Sequence, residues 1–349
     1  MKIAIILPTL RNTAPIMYVH KLVKYLIEFI EIDIYYFDDT VEIQFPCTVK
    51  QIHMHDEIDF NKYDIIHSHL YRPDKYLWLH RKKIKCKTIS TIHSYIPFDL
   101  NSTYNWFVSF IYSRIWFIYL NRKNYLITLT NDLKNFYSGY LSKPQIKFIH
   151  TGYDLPDIYE PINKIDLDLI NIFKIRYTLI GAIANLTKQK GINQLIDAIA
   201  KDESFALLII GDGKLKTELQ KQAQLNNCLD RCIFLGYRID AFRYLKYIDI
   251  YAMASYMEGF GIVVLEAALY KKPVLCSNIP VFRELFDKDT VAFFELNNPE
   301  SILLNLKELR LNYSQYSNNI FRIVKEKYST KRMADEYLSF YEDILKKDG

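Results

Sequence analysis

Nine consecutive residues in the second half of the chain bring two carboxylates and two glycines close together. They read Glu258-Gly259-Phe260-Gly261-Ile262-Val263-Val264-Leu265-Glu266. The glycines permit a tight backbone turn, and the free amide groups and positive dipole end of the helix that follows favour a pyrophosphate. Glu258 is placed to hold sugar hydroxyls, and Glu266 to accept hydrogen bonds from a ribose. The alternative is a strand-turn-helix with two solvated glutamates.

Histidines and glycines are concentrated in different halves of the chain. All eight histidines and all three tryptophans lie at or before His150, whereas most glycines lie at or after Gly152. Glycine turns that approach phosphates are therefore expected in the second half and imidazole groups in the first. His67 and His69 fall on a predicted strand, and we expect them to face opposite sides, so that only one lines a ligand cleft.

Strands and helices must position these groups, and short apolar runs alternate with helical stretches throughout. Predicted strands of the first half cover residues 2–7, 32–37, 64–67, 88–92, 125–129 and 146–150, with a helix over 19–29. Those of the second half cover 178–183, 206–210, 232–235, 248–252 and 273–276, with helices over 191–200, 214–226 and after Gly261. The alternation predicts an α/β fold of two Rossmann-like domains, with ligands in a cleft at the carboxyl ends of parallel strands.

The length of the chain supports two domains, because 349 residues exceed the usual size of a single domain. Half of the residues are hydrophobic, which is enough to form packed cores. We place the first domain at residues 1–155, a linker at 156–174 and the second domain at 175–349. A helix over about 330–347 is expected to pack back on the first domain. The acidic pairs Asp166/Asp168 in the linker and Asp287/Asp289 in a late turn are assigned no metal.

No uninterrupted apolar run of about 18 residues occurs. The apolar residues 2–7 are interpreted as a buried strand and not as a signal sequence. The sequence therefore favours a cytoplasmic protein.

One region of the first half is both basic and aromatic. Between Lys75 and Asn131 the only acid is Asp99, against nine basic residues: Lys75, Arg81, Lys82, Lys83, Lys85, Lys87, Arg114, Arg122 and Lys123. Its aromatic residues include Tyr104, Trp106, Phe107, Phe110, Tyr112, Trp116, Phe117 and Tyr119. Such a mixture suits a lipid headgroup boundary, so residues 104–123 are interpreted as a peripheral contact with the inner membrane. The alternative is an interior helix. No recognised nucleic-acid module accompanies the charge.

The glycine turn with its two glutamates resembles the glutamate, seven residues, glutamate signature of family 4 of the retaining glycosyltransferases. Further resemblances lie in Lys190-Gly191, Gly211-Asp212-Gly213 and Phe234-Leu235-Gly236-Tyr237, in the family's order over residues 175–285. The first half is similar in Asp64-Ile65-Ile66-His67-Ser68-His69, Thr91-Ile92-His93 and His150-Thr151-Gly152-Tyr153-Asp154.

The resemblance implies the two-domain GT-B fold and transfer of a sugar, with retention, from a nucleoside-diphosphate sugar. A UDP-sugar is preferred on family frequency. The acceptor implied is a glycan, expected to be lipid-linked, in bacterial surface polysaccharide or glycoconjugate synthesis, and no metal or other cofactor is expected. The catalytic candidates are His93, Lys190 and Glu258. The candidate nucleotide-binding residues are Asn185, Gly211, Gly213, Tyr237, Arg238, Gly259, Phe260, Gly261, Ile262, Val263 and Glu266.

Two positions depart from the family pattern. Residues 8–15 contain no glycine where the family often has one, and Asn185 stands where a phosphate-contacting arginine is common. Lys188 is a candidate substitute for that arginine. The departure at Asn185 keeps open a second hypothesis, a non-catalytic subunit of the same fold that binds a sugar nucleotide. A nicotinamide dehydrogenase is disfavoured because no G-x-G-x-x-G follows the first strand.

Overall fold

The structure is a computed structural model that describes residues 1–156 and 161–346. The chain divides into two compact units, the first comprising residues 1–152 and 328–349 and the second residues 153–327. Residues 157–160 of the predicted linker and residue 347 of the predicted last helix lie outside the described residues.

The first unit contains a seven-stranded parallel sheet. Its strands β1 to β7 span Lys2–Leu7, Glu31–Tyr36, Thr48–Gln51, Ile65–His69, Lys87–Ile92, Tyr125–Thr128 and Gln145–Phe148. Helices α1 to α5 span Ala14–Leu26, Tyr71–His80, Ile96–Thr103, Trp106–Leu120 and Asn131–Ser138. The strand order is β3-β2-β1-β4-β5-β6-β7. The inner strands β1 and β4 are almost fully buried, as expected for a parallel sheet packed on both faces.

The second unit contains a six-stranded parallel sheet in the order β10-β9-β8-β11-β12-β13. Its strands β8 to β13 span Thr178–Ile183, Phe205–Ile210, Cys232–Gly236, Ile250–Met253, Val274–Ser277 and Ala292–Phe294. Helices α6 to α12 span Lys164–Arg176, Ile192–Ile199, Lys216–Leu225, Ile262–Leu269, Pro280–Leu285, Pro299–Leu311 and Tyr313–Lys327. Both sheets contain the Rossmann order 3-2-1-4-5-6, which confirms the predicted fold class.

Two helices, α13 and α6, show which unit the last helix and the predicted linker belong to. The last helix, α13, spans Thr330–Lys346 and packs against α1 within the first unit. Helix α6 occupies most of the segment that the sequence suggested was a linker, and it clusters with the second unit. Its start is capped by Asn163, whose side chain accepts a hydrogen bond from the amide of Ile165.

Helix α4 carries much of the aromatic segment, and its first half is exposed. Trp106, Phe107 and Phe110 are 74%, 56% and 53% exposed, whereas Phe117 is buried. Helix α4 is therefore not interior over its whole length, and aromatic side chains of its first half are exposed. Among the described residues, no helix has the length and apolarity needed to cross a membrane.

Candidate active site

The topological switch point of the second sheet lies between β8 and β11, which pair in parallel. Lys190 ends a short 3-10 turn after β8, and Glu258 follows β11. Lys190 Nζ donates to Glu258 Oε1 at 2.6 Å, and Ser255 Oγ donates to the same oxygen at 2.7 Å. The side chains are 26% and 10% exposed, so the ion pair is largely shielded from water. Two of the three catalytic candidates thus contact each other directly.

Gly191 determines where Lys190 can lie. Its φ of 62° is in the left-handed region, and a Cβ at this position would lie 2.0 Å from the carbonyl oxygen of Ala254. Gln194 Nε2 donates to that same carbonyl at 2.9 Å. A side chain at position 191 would therefore displace the end of β11, and glycine is what lets the Lys190 turn approach it.

The turn before α9 is built as the sequence predicts, with Gly261 at the N-cap and a φ of 87°. A Cβ on Gly261 would lie 2.7 Å from the ring of Phe282, and the Phe260 side chain is only 3% exposed. The predicted residues of this turn and of the first helical positions are Gly259, Phe260, Gly261, Ile262 and Val263. Because the first amide groups of a helix have no acceptor within it, this end is suited to an anion.

Glu266, on α9, interacts with Tyr153. Burial and the adjacent Glu266 carboxylate, to which the phenol is hydrogen-bonded, raise the pKa of Tyr153 well above its usual range. The sequence alone predicts no role for Tyr153. The contact holds the Glu266 carboxylate beside a buried phenol.

The glycines after β9 lie against the end of β8. Gly211 N donates to Gly236 O at 2.9 Å, which joins the ends of β9 and β10. A Cβ on Gly213 would lie 2.6 Å from Oδ1 of Asn185, so the Asn185 amide packs on this turn. Asn185 and both glycines therefore lie at adjoining strand ends.

The two candidate residues after β10, Tyr237 and Arg238, differ in exposure and in partners. Tyr237 is 70% exposed. Arg238 makes a bidentate pair with Asp166 of α6, through Nε at 2.7 Å and Nη2 at 3.0 Å, and Tyr244 donates to the same carboxylate at 2.6 Å. The Arg238 pair is the main cause that lowers the pKa of Asp166. Arg238 Nη1 donates to the Tyr237 carbonyl at 3.2 Å, so nucleotide contact by Arg238 would have to use the remaining N–H groups of Nη1 and Nη2.

The remaining catalytic candidate, His93, lies in the first unit, directly after β5. His69 Nδ1 and His93 Nε2 share a hydrogen bond of 3.1 Å, and the Tyr18 ring meets the His93 ring edge-on at 5.1 Å. Burial lowers the pKa of His93 to about 4. His93 is therefore an uncharged imidazole at neutral pH, with Nε2 engaged by His69.

A buried chain of hydrogen bonds connects this region to α13. His67 Nδ1 lies 2.7 Å from Tyr341 Oη, and His67 Nε2 lies 2.8 Å from Thr91 Oγ1. The chain continues from Thr91 to the Tyr337 hydroxyl at 3.0 Å and from there to the Tyr18 hydroxyl at 2.8 Å. Burial, with smaller contributions from nearby cations and histidines, lowers the pKa of His67 to about 3.

The expectation that His67 and His69 face opposite sides of the sheet is wrong. Their rings stack with centroids 4.4 Å apart. The period of a strand is two residues, so positions two apart share a face. Both histidines are fully buried on that face.

Comparison with known proteins identifies the family. Residues 171–321 match the family described as Glycosyl transferases group 1, and residues 49–156 match Glycosyltransferase Family 4. The two matches together cover more than half of the chain and contain all the predicted site residues. The chain belongs to glycosyltransferase family 4.

Individual relatives match this glycosyltransferase over most or all of its length. It is 28% identical to the O-antigen biosynthesis glycosyltransferase WclY of Escherichia coli over 99% of both chains. A Campylobacter jejuni N-acetylgalactosamine-N,N'-diacetylbacillosaminyl-diphospho-undecaprenol 4-alpha-N-acetylgalactosaminyltransferase is 27% identical over 75% of this chain and 67% of its own.

Among solved structures, Anabaena HepE in complex with UDP and glucose superposes with a TM-score of 0.79 and 17% identity. The superposition covers 98% of this chain and 100% of HepE. At this identity the likeness shows the fold, which is GT-B.

Three polar residues of the glycosyltransferase's second unit were missed by sequence reasoning: Tyr153, Asp166 and Ser255. Asp166 was predicted to lie in a linker. The segment nevertheless carries helix signals: Asn163 is an N-cap residue, and the last turn contains the basic residues Lys174 and Arg176. Tyr153 falls within the segment His150-Thr151-Gly152-Tyr153-Asp154, but its partner Glu266 is distant in sequence. The bond between Ser255 and Glu258 depends on how the turn after β11 folds.

Proposed function

We propose that this glycosyltransferase transfers a hexosyl or N-acetylhexosaminyl group, with retention, from a UDP-sugar to a lipid-diphosphate-linked glycan. The observation that carries the donor half of the proposal is the Lys190–Glu258 ion pair in the same unit as the glycine turn that opens α9. The UDP complex of HepE and the diphospho-undecaprenol substrate in the name of the Campylobacter relative support the donor and acceptor classes.

In the proposed donor complex, Lys190 exchanges its carboxylate partner for the diphosphate. Negative charge grows on the leaving diphosphate as the glycosidic bond breaks, and a fixed ammonium stabilises that charge in the transition state. The N-terminus of α9 contributes about half an elementary charge to the same end. Glu258, still held by Ser255, then accepts hydrogen bonds from sugar hydroxyls.

The remaining assignments follow the family resemblance and the contacts within each unit. Glu266 binds the ribose hydroxyls, with Tyr153 holding the carboxylate in place. His93 contacts the transferred sugar as a neutral imidazole, through Nδ1, since Nε2 is engaged by His69. Asn185, Gly211 and Gly213 form backbone and amide contacts with the nucleotide.

The acceptor side of the proposal includes contact with the membrane surface. The exposed aromatic side chains of α4 and the preceding loop lie beside Arg114, which is itself exposed and stacks on Phe110 at 5.1 Å. Lys123 does not contribute to this surface, because it is buried and ion-paired with Asp74. The finer proposal is a peripheral protein whose α4 rests in the headgroup layer.

The decisive activity test is transfer from a panel of UDP-sugars to polyprenyl-diphosphate-linked saccharides. We expect product with the wild type and almost none with Glu258→Gln, which keeps the shape but removes the charge that pairs with Lys190. Glu218→Gln is the matched control, because Glu218 is an exposed carboxylate on α8. No transfer and no slow hydrolysis of any UDP-sugar by folded wild type would favour the second hypothesis, a non-catalytic sugar-nucleotide-binding subunit, for which Asn185 is the supporting residue.

Membrane contact is tested by sedimentation with vesicles of phosphatidylcholine alone or mixed with phosphatidylglycerol. We expect pelleting with the mixed vesicles, and its loss in Trp106→Ser/Phe107→Ser. The control is Leu304→Ser/Leu311→Ser, since these leucines are 70% and 83% exposed in the second unit. Equal pelleting of both double variants would contradict the role of α4.

A further inference from the structure

A cavity of about 240 Å³ opens at the amino ends of β5 and β6. Cys86 and Thr88 at the start of β5 and Asn124 before β6 line it, so it lies at the edge of the sheet opposite to His93. Its charged lining residues are all cationic: Arg81, Lys85, Arg122 and Lys123. No carboxylate is among the described residues that line it. We call it the amino-edge pocket.

Two of its cations have no competing partner. Lys85 and Arg122 are exposed, and in the part of the chain that the structure describes neither lies within ion-pair distance of a carboxylate. Their neighbour Lys83, in contrast, is paired with Glu57. The positive charge at the mouth of the pocket is therefore available to a ligand.

Arg81 is held in a fixed orientation. Its guanidinium lies 4.4 Å from the centroid of the Trp78 ring, and Nη1 donates to the Trp78 carbonyl at 2.7 Å. A guanidinium that is stacked and anchored on one side presents its other N–H groups as a planar fork, the geometry that binds phosphate oxygens in pairs.

Lys123 supplies a buried cation at the pocket. Its side chain is 3% exposed, and Nζ lies 3.3 Å from Asp74 Oδ1 without a hydrogen bond of normal geometry. Asp74 is already bound by Ser68 at 2.6 Å, Ser90 at 3.1 Å and Trp116 at 2.8 Å. The Lys123 charge is therefore balanced by Asp74, and the cations that a ligand can reach are the exposed Arg81, Lys85 and Arg122.

We propose that the amino-edge pocket binds a phosphate group of an organic phosphate, either a soluble ester or the headgroup of an anionic phospholipid. Three exposed cations without a lining acid select an anion, and the arginine fork favours phosphate. One wall is aromatic, where Trp78 and Tyr119 meet with centroids 5.2 Å apart, and this wall suits the carbon-bearing part of the ligand. All residues of the pocket lie in the first unit, whereas Lys190 and Glu258 lie in the second.

The aromatic wall continues toward the exposed surface of α4. Tyr119 contacts Tyr71 at 5.7 Å, and Tyr71 contacts Tyr112 at 6.0 Å, both measured between ring centroids. Tyr112 stacks on Tyr104, which is 50% exposed. A phosphate in the pocket and an apolar surface at α4 would thus be neighbours on one aromatic array.

The test is a fluorine NMR titration of the full chain labelled with 5-fluorotryptophan. The chain has three tryptophans, all in the first unit, so binding of phosphate in the second unit does not contact a labelled ring. The Trp78 resonance is assigned with Trp78→Phe. One arm adds sn-glycerol 1-phosphate, and the other adds phosphatidylglycerol vesicles, with phosphatidylcholine vesicles as reference.

The charge variants are Arg81→Gln/Arg122→Gln and, as a matched control, Lys82→Gln/Lys143→Gln, which removes two exposed cations outside the pocket. We expect a saturable shift of the Trp78 resonance that weakens about tenfold or more in the first variant and is unchanged in the control, the scale of losing charge-assisted hydrogen bonds. Saturation with glycerol phosphate identifies a soluble ester, and saturation with phosphatidylglycerol vesicles alone identifies a lipid headgroup.

Two results would overturn the proposal. The first is a Trp78 resonance that does not move in either arm. The second is equal weakening in both charge variants, which would indicate only non-specific attraction. Movement of the Trp106 resonance alone with vesicles would leave the α4 membrane contact standing and remove the pocket, so the two proposals fail separately.

Discussion

Lys190→Ala is the substitution that tests the proposed donor chemistry most directly. We expect turnover to fall by about two to three orders of magnitude, the scale for losing one preorganised partner of transition-state charge. Asn185 supplies no charge where the family often has an arginine, so in the proposed donor complex Lys190 would carry more of the neutralisation. Steady-state kinetics with a saturating UDP-sugar measures the effect.

The same substitution also changes stability, and the structure gives its scale. Removing one partner of a fully buried ion pair costs about 3–5 kcal/mol, and this pair, with Lys190 26% exposed, should cost about 1–3 kcal/mol. The loss arises because the Glu258 carboxylate is left shielded and without its cation. Urea unfolding of the purified variant measures it.

A double-mutant cycle separates the two effects. Lys190→Ala/Glu258→Gln leaves no uncompensated charge, so it should regain much of the lost stability while remaining inactive. Lys221→Ala, which removes an exposed lysine from α8, should match wild type in both measurements. Near wild-type turnover of folded Lys190→Ala would refute the reasoning, because the diphosphate would then be held elsewhere.

Three further outcomes are expected. Glu266→Ala should weaken UDP binding in calorimetry about tenfold or more while turnover at saturation changes little, and unchanged affinity would remove the ribose assignment. The depressed pKa of His67, about 3, means that its contribution to stability is complete above its unfolded pKa near 6.5 and is lost as pH falls below that value. At pH 5 this single group should lower the free energy of unfolding by about 2 kcal/mol relative to pH 7, an effect that His67→Gln should remove. Tyr337→Phe leaves Thr91 and Tyr18 without their shared hydroxyl and should cost about 1–3 kcal/mol in urea unfolding, whereas an unchanged midpoint would show that the buried chain is dispensable.

Strand positions were largely predictable because parallel strands are short apolar runs. The predicted strands over 2–7 and 178–183 coincide with β1 and β8. The edge strands β3 and β13 were not predicted. β3 is mostly exposed along Thr48–Gln51, and β13 has only three residues, so neither produces a long apolar run.

The local geometry of the candidate site was also predictable where glycine determines it. Gly261 and Gly191 both have positive φ, and both meet neighbouring atoms that exclude a side chain. Pairings between distant residues could not be predicted in this way. Nothing in the sequence indicates that Arg238 pairs with Asp166, because 72 residues separate them and the contact depends on how α6 packs.

The Lys190–Glu258 contact changes how the departure at Asn185 should be understood. If the site held a second cation, such as an arginine at position 185, a donor diphosphate could bind without disturbing Glu258. Lys190 is already held by a carboxylate, so in the proposed donor complex the diphosphate would have to compete with Glu258 for it. That exchange becomes favourable when another group satisfies Glu258, and the hydroxyls of a correctly placed sugar can do so while Ser255 keeps its bond. In the proposed donor complex, diphosphate binding and sugar binding would therefore be coupled through one ion pair.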